Sequence, residues 1–335
     1  KTPMGVYVRT PVGTGPYKFV RWDHGEKITI ERTNNYWGKK PQVEKAIYLF
    51  RSESAVRAAM VKVGEADIAP DIAAADATNP ETDFSFFNSE TTNLQITLAK
   101  APLNDKRVRE ALNYAIDRNA IRGSVLSKHV VPSSHLIVPS INGYNPSLKV
   151  WPYDPKKARE LLAAARKDGV PVDTEIHLIA RMGNFPGCGE LMEVLQTMFK
   201  AVGLNVKLRM LEVGVYYQYQ NKPYPDGPPE ILQSMHDNNF GDAVFTVFNK
   251  YHCKGIQSRT CEKSLDKMIE DAQVALGKDR TKRWQEVFKR VYSDIVADVQ
   301  LFHMVGFSRV GNRINFKPTI AINSELQLAE ISFKK

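Results

Sequence analysis

The stretch MHDNNFGDA, residues 235–243, follows an apolar strand candidate, Ile231 to Met235, and precedes the aromatic stretch Phe245 to Phe248. Asp237, Asn238, Asn239 and Asp242 offer carboxylate and amide oxygens to an amine or to hydroxyls. In α/β lobes a ligand site is favoured just beyond the carboxyl end of a strand. The same residue types also build solvated turns, so this pattern leaves a ligand loop and a plain turn both open. Arg181 has similar standing. It ends the strand candidate Glu175 to Ala180 and precedes the loop Gly183 to Gly189, and its planar fork suits a carboxylate. A solvated surface arginine is the alternative.

Cys253 and Cys261 flank seven residues that include Gly255 and Ser258, with Cys188 left odd. A disulfide-stapled turn and two free thiols are both compatible with that spacing. A zinc site using His252 fits less well, because no short C-x-x-C pair and no second ligand pair is present. Enzyme signatures are missing: there is no G-x-S-x-G elbow, phosphate-binding loop or H-E-x-x-H helix, and GTGP at 13–16 is a turn with no helix after it. The seven histidines are scattered, and His177, in a strand, reads as packed rather than catalytic. Neither a resident metal nor a cofactor is expected.

The chain has 335 residues, 43% hydrophobic and 25% charged, enough for two lobes with separate cores. Its formal charge is +9, but the basic residues are spread along helix faces and interleaved with acids. No basic run with aromatics appears, so nucleic acid is not an expected partner. No run approaches the roughly eighteen apolar residues of a membrane span, and KTPMGVYVRT at the start has no apolar signal-type core. A start without methionine suggests processing or truncation.

Residues 1–90 read as strand-rich: Tyr17 to Val20 and Lys27 to Glu31 around His24-Gly25, then Ala46 to Phe50, Ala66 to Ala69 and Phe84 to Phe87. One helix interrupts them, capped by Ser52, with Val56, Ala59, Met60 and Val63 as its buried stripe and Gly64 as its stop. Thr92 to Ala99 alternates as a half-buried strand, and Pro102 ends it. Asn104 or Asp105 then caps an amphipathic helix burying Val108, Leu112, Ala115 and Ile116, while Arg107, Arg109, Glu110 and Asn113 face water. Asp154 with Pro155 starts the next helix, burying Ala158, Leu161, Leu162 and Ala165. Strand 175–180, helix 191–202 and strand 205–211 imply a parallel pair with a right-handed crossover. Ile231 to Met235 is a further strand, helices follow at 265–276 and 281–296, and strands return at 300–307 and 325–331.

Six segments in this order carry a resemblance: GTGPYKF at 13–19, NNYWG at 34–38 with Pro41 after it, AAMVKVGEADI at 58–68, the crossover at 100–121, YDPKKARELL at 153–162 and VGLNV at 202–206. Together they resemble the extracytoplasmic solute-binding proteins of peptide-type ABC transporters, the family of dipeptide-, oligopeptide- and nickel-binding proteins. The resemblance implies an α/β, two-lobe periplasmic-binding-protein-like fold that closes on its ligand about hinge strands. Lobe one would be 1–99 plus 301–335, with its N-terminal portion outside this sequence, and lobe two 100–300. Thr91 to Ala99 and Leu301 to Gly306 would be the crossings, with Thr92, Asn93 and His303 at the hinge.

The resemblance further implies a periplasmic, non-enzymatic, monomeric protein that takes a peptide or peptide-like solute and hands it to an ABC permease. Arg181 matches the family's arginine for the peptide carboxylate. The family's aspartate for the peptide amino group falls on Asn239, and Ala243 stands where a proline is usual. Asp237 takes that role only if the loop is shifted. An asparagine accepts a hydrogen bond from an ammonium but brings no charge, weakening that anchor by about 1 to 2 kcal/mol. A non-peptide solute, such as a sugar-amine conjugate or a metal chelate, is therefore the first alternative. A hydrolase using His252 or Asp242 is the alternative from another class. Cys253 and Cys261 match a disulfide loop found in dipeptide-binding relatives.

Overall fold

Three antiparallel strands open the chain, β1 (Tyr17–Asp23), β2 (Lys27–Arg32) and β3 (Lys45–Leu49), paired in that order. In the computed structural model, which describes residues 8–236, 241–318 and 326–335, they belong to the first of two compact units. Unit one comprises Lys1–Asn88 and Gly306–Lys335, and unit two Ser89–Val305. The expected lobe boundaries stood at 99/100 and 300/301. Residues 91–96 fall in unit two because each pairs with a later strand of that unit.

Helix α1 (Ser54–Lys62) follows in unit one. Its N-cap is Glu53, and the Ser52 hydroxyl turns to the Glu53 carboxylate instead of capping. The buried face is Ala58 and Val61, whereas Val56 and Val63 are exposed, so the apolar stripe expected at 56, 59, 60 and 63 is displaced around the helix. Arg57 explains the rotation: its guanidinium donates to the carbonyls of Arg51, Ser52, Pro70 and Asp71, fixing that side inward. Gly64, at φ 82°, ends the helix in the left-handed region open to glycine. Ala58 and Val61 pack with Ala69 of β4 (Ile68–Ala69) and with Ile72.

Strand β5 (Asp83–Ile96) is one run of fourteen residues where two shorter strands were expected, and it begins in unit one and ends in unit two. After the loop containing Pro102 comes α2 (Lys106–Tyr114), with the Asp105 carboxylate as the cap accepting from Arg107 N at 2.8 Å. Val108, Leu112 and Ile116 are fully buried, each contributing roughly 1.5–3 kcal/mol. Arg109 and Asn113, expected in water, are buried as well. The Arg109 guanidinium donates to the carbonyls of Leu103, Asn104, Ile295 and Val296, and Asn113 Nδ2 donates to Asp298 O at 3.1 Å. The helix therefore presents polar anchors on the side that periodicity assigns to solvent.

Beyond α3 (Arg118–Ile121) and β6 (Val131–Pro132), α4 (Pro155–Lys167) starts as expected, with Asp154 accepting from Lys157 N at 2.8 Å. Strands β7 (Ile176–Arg181) and β8 (Val206–Leu211) are parallel and flank α5 (Cys188–Ala201) in sequence. Helix α6 (Val213–Gln220) then leads to β9 (Glu230–His236), which runs parallel to β7 and antiparallel to β5. Helices α7 (Val244–Tyr251), α8 (Lys263–Val274) and α9 (Gly277–Lys289) follow, the last running into a π-helical turn at Arg290–Ile295. Strand β10 (Asp298–Val310) completes the unit-two order β10-β5-β9-β7-β8, with β6 on β10. The core of this unit gathers Leu94, Ile96, Leu112, Leu162, Leu178, Leu195, Phe199 and Phe302.

The end of β10 returns to unit one, where Arg309 and Val310 pair with β4. The Arg309 guanidinium holds Asp83 through two bonds of 2.6 and 2.7 Å. Short strands β11 (Ile314–Asn315) and β12 (Ser332–Phe333) close the unit. The strand expected at 325–331 is, over 328–330, a single 3-10 turn.

Candidate functional site

Parallel β7 and β9 bring their carboxyl ends to the same side of the unit-two sheet, and the expected ligand residues were drawn from those two ends. Arg181 is the last residue of β7, aligned with Leu211 of β8. Its side chain is half-buried and makes no hydrogen bond or ion pair with another described residue. Close by in sequence, Asn184 Nδ2 donates to Gln233 Oε1 at 3.0 Å, Gln233 Nε2 donates to Thr92 Oγ1 at 3.2 Å, and the Tyr216 hydroxyl donates to Gln233 O at 2.6 Å. This chain of amides and hydroxyls ties the loop after β7 and helix α6 to β9 and β5.

Asp237, Asn238 and Asn239 lie outside the described residues. Asp242 is described, and its carboxylate is fully used. Oδ2 accepts from Arg280 Nε at 2.7 Å and Asn142 Nδ2 at 2.8 Å; Oδ1 accepts from Arg280 Nη2 at 2.7 Å and Val244 N at 2.9 Å. Four bonds fill the roughly four lone-pair positions of a carboxylate. Burial alone would raise its pKa, but Arg280, Asn142 and the Val244 amide together hold it below the usual carboxylate value. Asp242 thus clamps the start of α7 to α9 and leaves no acceptor for a solute.

Thr92, Asn93 and His303, expected at the hinge, are buried inside the unit-two ladder. Thr92 pairs with Met235 and Asn93 with Ser234, while His303 pairs with Val131 and its Nδ1 lies 2.8 Å from Thr91 Oγ1. Burial pushes the His303 pKa down to about 4, so the ring is neutral at pH 7.

A buried polar cluster beside these strands escaped the sequence reading. Leu136 N donates to the Tyr292 hydroxyl at 3.0 Å, the Tyr292 and Tyr251 hydroxyls are 2.8 Å apart, and Tyr251 donates to Asp298. Burial raises the Asp298 pKa to about 7 against the lowering effects of Tyr251, Lys250, Asn93 and Gln300. Buried Lys250 donates to Ser234 Oγ at 2.7 Å, and His236 Nε2 bonds with Thr246 Oγ1. Residues 41 and 47 apart in sequence meet here, which no local spacing foretells.

Cys253 and Cys261 form a disulfide. That resolves the alternatives left open by their spacing, since bonded sulfurs are neither free thiols nor zinc ligands. Gly255 is required within the loop: a Cβ there would sit 2.2 Å from Phe248 O and 2.5 Å from Asn249 O. Cys188 is free and buried, its thiol pushed up to about 12 by desolvation, so it stays protonated and inert. His252 Nδ1 accepts from Lys254 N at 3.0 Å, its Nε2 faces Glu270 at 3.3 Å, and its ring stacks on Phe248.

The sequence model for bacterial extracellular solute-binding proteins, family 5 middle, matches residues 5–258. A dipeptide-binding protein of Escherichia coli K12 is 28% identical over 291 residues, covering 84% of this chain and 53% of that protein. A glutathione-binding protein of the same strain is 30% identical over 210 residues, covering 61% and 40%. This chain thus spans about half the length of the curated relatives it matches. Among solved structures, a periplasmic binding protein of Helicobacter pylori in complex with the peptide STSA superposes with a TM-score of 0.82 at 20% identity, covering 97% of this chain and 64% of that one. NikZ of Campylobacter jejuni in complex with Ni(L-His) gives 0.81 at 22% identity, covering 97% and 69%. At those identities the likeness is one of fold.

Proposed function

The chain belongs to the family 5 bacterial extracellular solute-binding proteins, and from that membership we propose that it captures a peptide or peptide-like solute for an ABC importer. In this reading it acts as a monomer in the periplasm, catalyses nothing, and delivers the solute to a membrane permease. The names of the dipeptide- and glutathione-binding relatives support the solute class. Among the described residues no helix is long and apolar enough to cross a membrane.

The observation that carries the proposal is Arg181. A half-buried guanidinium with no acidic partner among the described residues, at the carboxyl end of a parallel strand, suits a carboxylate. The solute carboxylate takes two parallel hydrogen bonds from its fork, and hydroxyl and amide groups at the strand ends set the orientation. In this reading closure flexes β5 and β10, the strands that run from one unit into the other and carry Thr92, Asn93 and His303. Asn239, standing where the resemblance places an aspartate, supports a solute whose amino end is blocked or absent.

Calorimetry with dialanine, N-acetyl-dialanine and a nickel–histidine chelate tests the reading. Binding of either peptide is the expected result, with the acetylated form at least as tight. Binding of the chelate alone would replace the peptide reading with the metal-chelate one, and turnover of any probe would overturn a role in capture.

A further inference from the structure

A cavity of about 600 Å³ opens in unit two between the end of β5, the Lys222–Tyr224 segment, the disulfide loop and the π-helical turn. It lies at the opposite end of the sheet from Arg181. Because β5 is antiparallel to β9, Thr97 and Leu98 on the cavity wall adjoin the amino end of β9, marked by Thr97 N donating to Glu230 O at 3.1 Å. The volume is that of a small-molecule site.

Two residues that line it each carry a polar atom shut off from solvent and without a hydrogen-bond partner among the described residues: Arg259 Nε and the Tyr224 hydroxyl. Arg259 is only 6% exposed. Nη1 spends both its N–H groups, on Thr97 Oγ1 at 2.5 Å and Glu230 Oε2 at 2.9 Å, and Nη2 one of its two on Tyr219 O, so Nε is the nitrogen of this guanidinium left with no partner among the described residues. Burial pushes the Tyr224 pKa up to about 12, which keeps that hydroxyl a donor as well. Lys222 spends one N–H on Cys253 O at 2.8 Å and keeps two. The acids nearby are already answered: Glu262 accepts from Arg290 and Ser264, and Asp294 lies 3.5 Å from Arg290. Arg109 is committed to backbone carbonyls. On this wall the cations Arg109, Lys222, Arg259 and Arg290 outnumber the acids Glu262 and Asp294.

We propose that this cavity is a second ligand site, separate from Arg181, that takes the carboxylate of a small organic acid between Arg259, Tyr224 and Lys222. The Tyr224 ring lies over the Arg259 guanidinium, 4.6 Å from its carbon to the ring centroid. The carboxylate reaches Nε–H when that ring turns aside, and then accepts from the same residue's hydroxyl. Leu98, Ala99 and Ile295 supply the apolar wall for the rest of the molecule.

Fluorine NMR of fluoroacetate, with fluoroacetamide as the uncharged probe of the same size, tests this in the Arg181→Ala chain, where Arg181 cannot contribute. Fluoroacetate is expected to broaden on adding protein and fluoroacetamide to stay sharp, with the broadening reduced at least fivefold by Tyr224→Phe. That substitution keeps the ring and its stacking, so the fold is retained. Absence of broadening, equal broadening of both probes, or broadening that survives Tyr224→Phe would each overturn the proposal.

Discussion

Asp242 and Arg280, 38 residues apart, meet in a two-pronged ion pair whose N–O distances are both 2.7 Å. The pair is about one-fifth exposed on either side, and the cap bond from Asp242 to Val244 N ties it to the start of α7. Asp242→Asn keeps the shape but removes the charge and one acceptor. A loss of about 2 to 3 kcal/mol in unfolding free energy is expected. Urea denaturation at pH 7 measures it, and solute affinity is expected to change little in the same protein.

Arg181→Ala is the converse case. A carboxylate-bearing solute is expected to bind about 1.5 to 3 kcal/mol more weakly, the value of a charge-assisted bond, with stability unchanged because the side chain holds no other described residue. Calorimetry and urea denaturation run together separate the two effects. Unchanged affinity would remove Arg181 from the binding surface.

Asp298 makes stability depend on pH with an unusual sign. Its folded pKa, about 7, lies above the ordinary aspartate value of 3.8, so its contribution is fully present below 3.8 and is lost as pH rises through 7. The shift corresponds to a cost on the order of 4 kcal/mol above pH 7. His303 and His135, lowered to about 4 and about 3, act oppositely: their contribution stands above pH 6.5 and is lost as pH falls through those lower values. Asp298→Asn isolates the carboxylate. Urea denaturation from pH 5 to pH 8 is expected to show wild type falling relative to the variant, and parallel curves would refute the assignment.

Reduction of Cys253–Cys261 opens a loop with a sequence separation of eight. Chain entropy assigns such a closure about 2.5 kcal/mol. The Cys253→Ser/Cys261→Ser chain is expected to lose that much in urea at pH 7, and dithiothreitol to lower the wild type to the same midpoint. A disulfide also suits an oxidising compartment.

Legibility in the sequence followed the range of each interaction. Asp105 and Asp154 sit two and three residues from the amides they cap, and both helix starts were readable. Arg109 and Asn113 were assigned to water because a helical wheel shows the face but not the carbonyls of residues 295 to 298 that meet it. The aromatic stretch after Asp242 is helix α7, whose pattern of Val247 and Tyr251 inward was overshadowed by the Asn- and Asp-rich segment before it. Arg181 was readable as the end of a strand. Asp242 was readable as an acid near another strand end, but not as the partner of Arg280. The disulfide stood open on spacing and was favoured only through the family likeness.

The division of the chain at 88/89 and 305/306 has a consequence for synthesis. Unit two is one continuous stretch, whereas unit one needs residues 306–335, with Arg309 docking on Asp83 across 226 positions. During synthesis the part of unit one before residue 89 therefore lacks its closing strand until the whole of the intervening unit has left the ribosome. Long-range closure of this kind is slow and leaves apolar surface open to aggregation. The stretch before residue 89 is where a factor that holds emerging chains acts while unit one waits for residues 306–335.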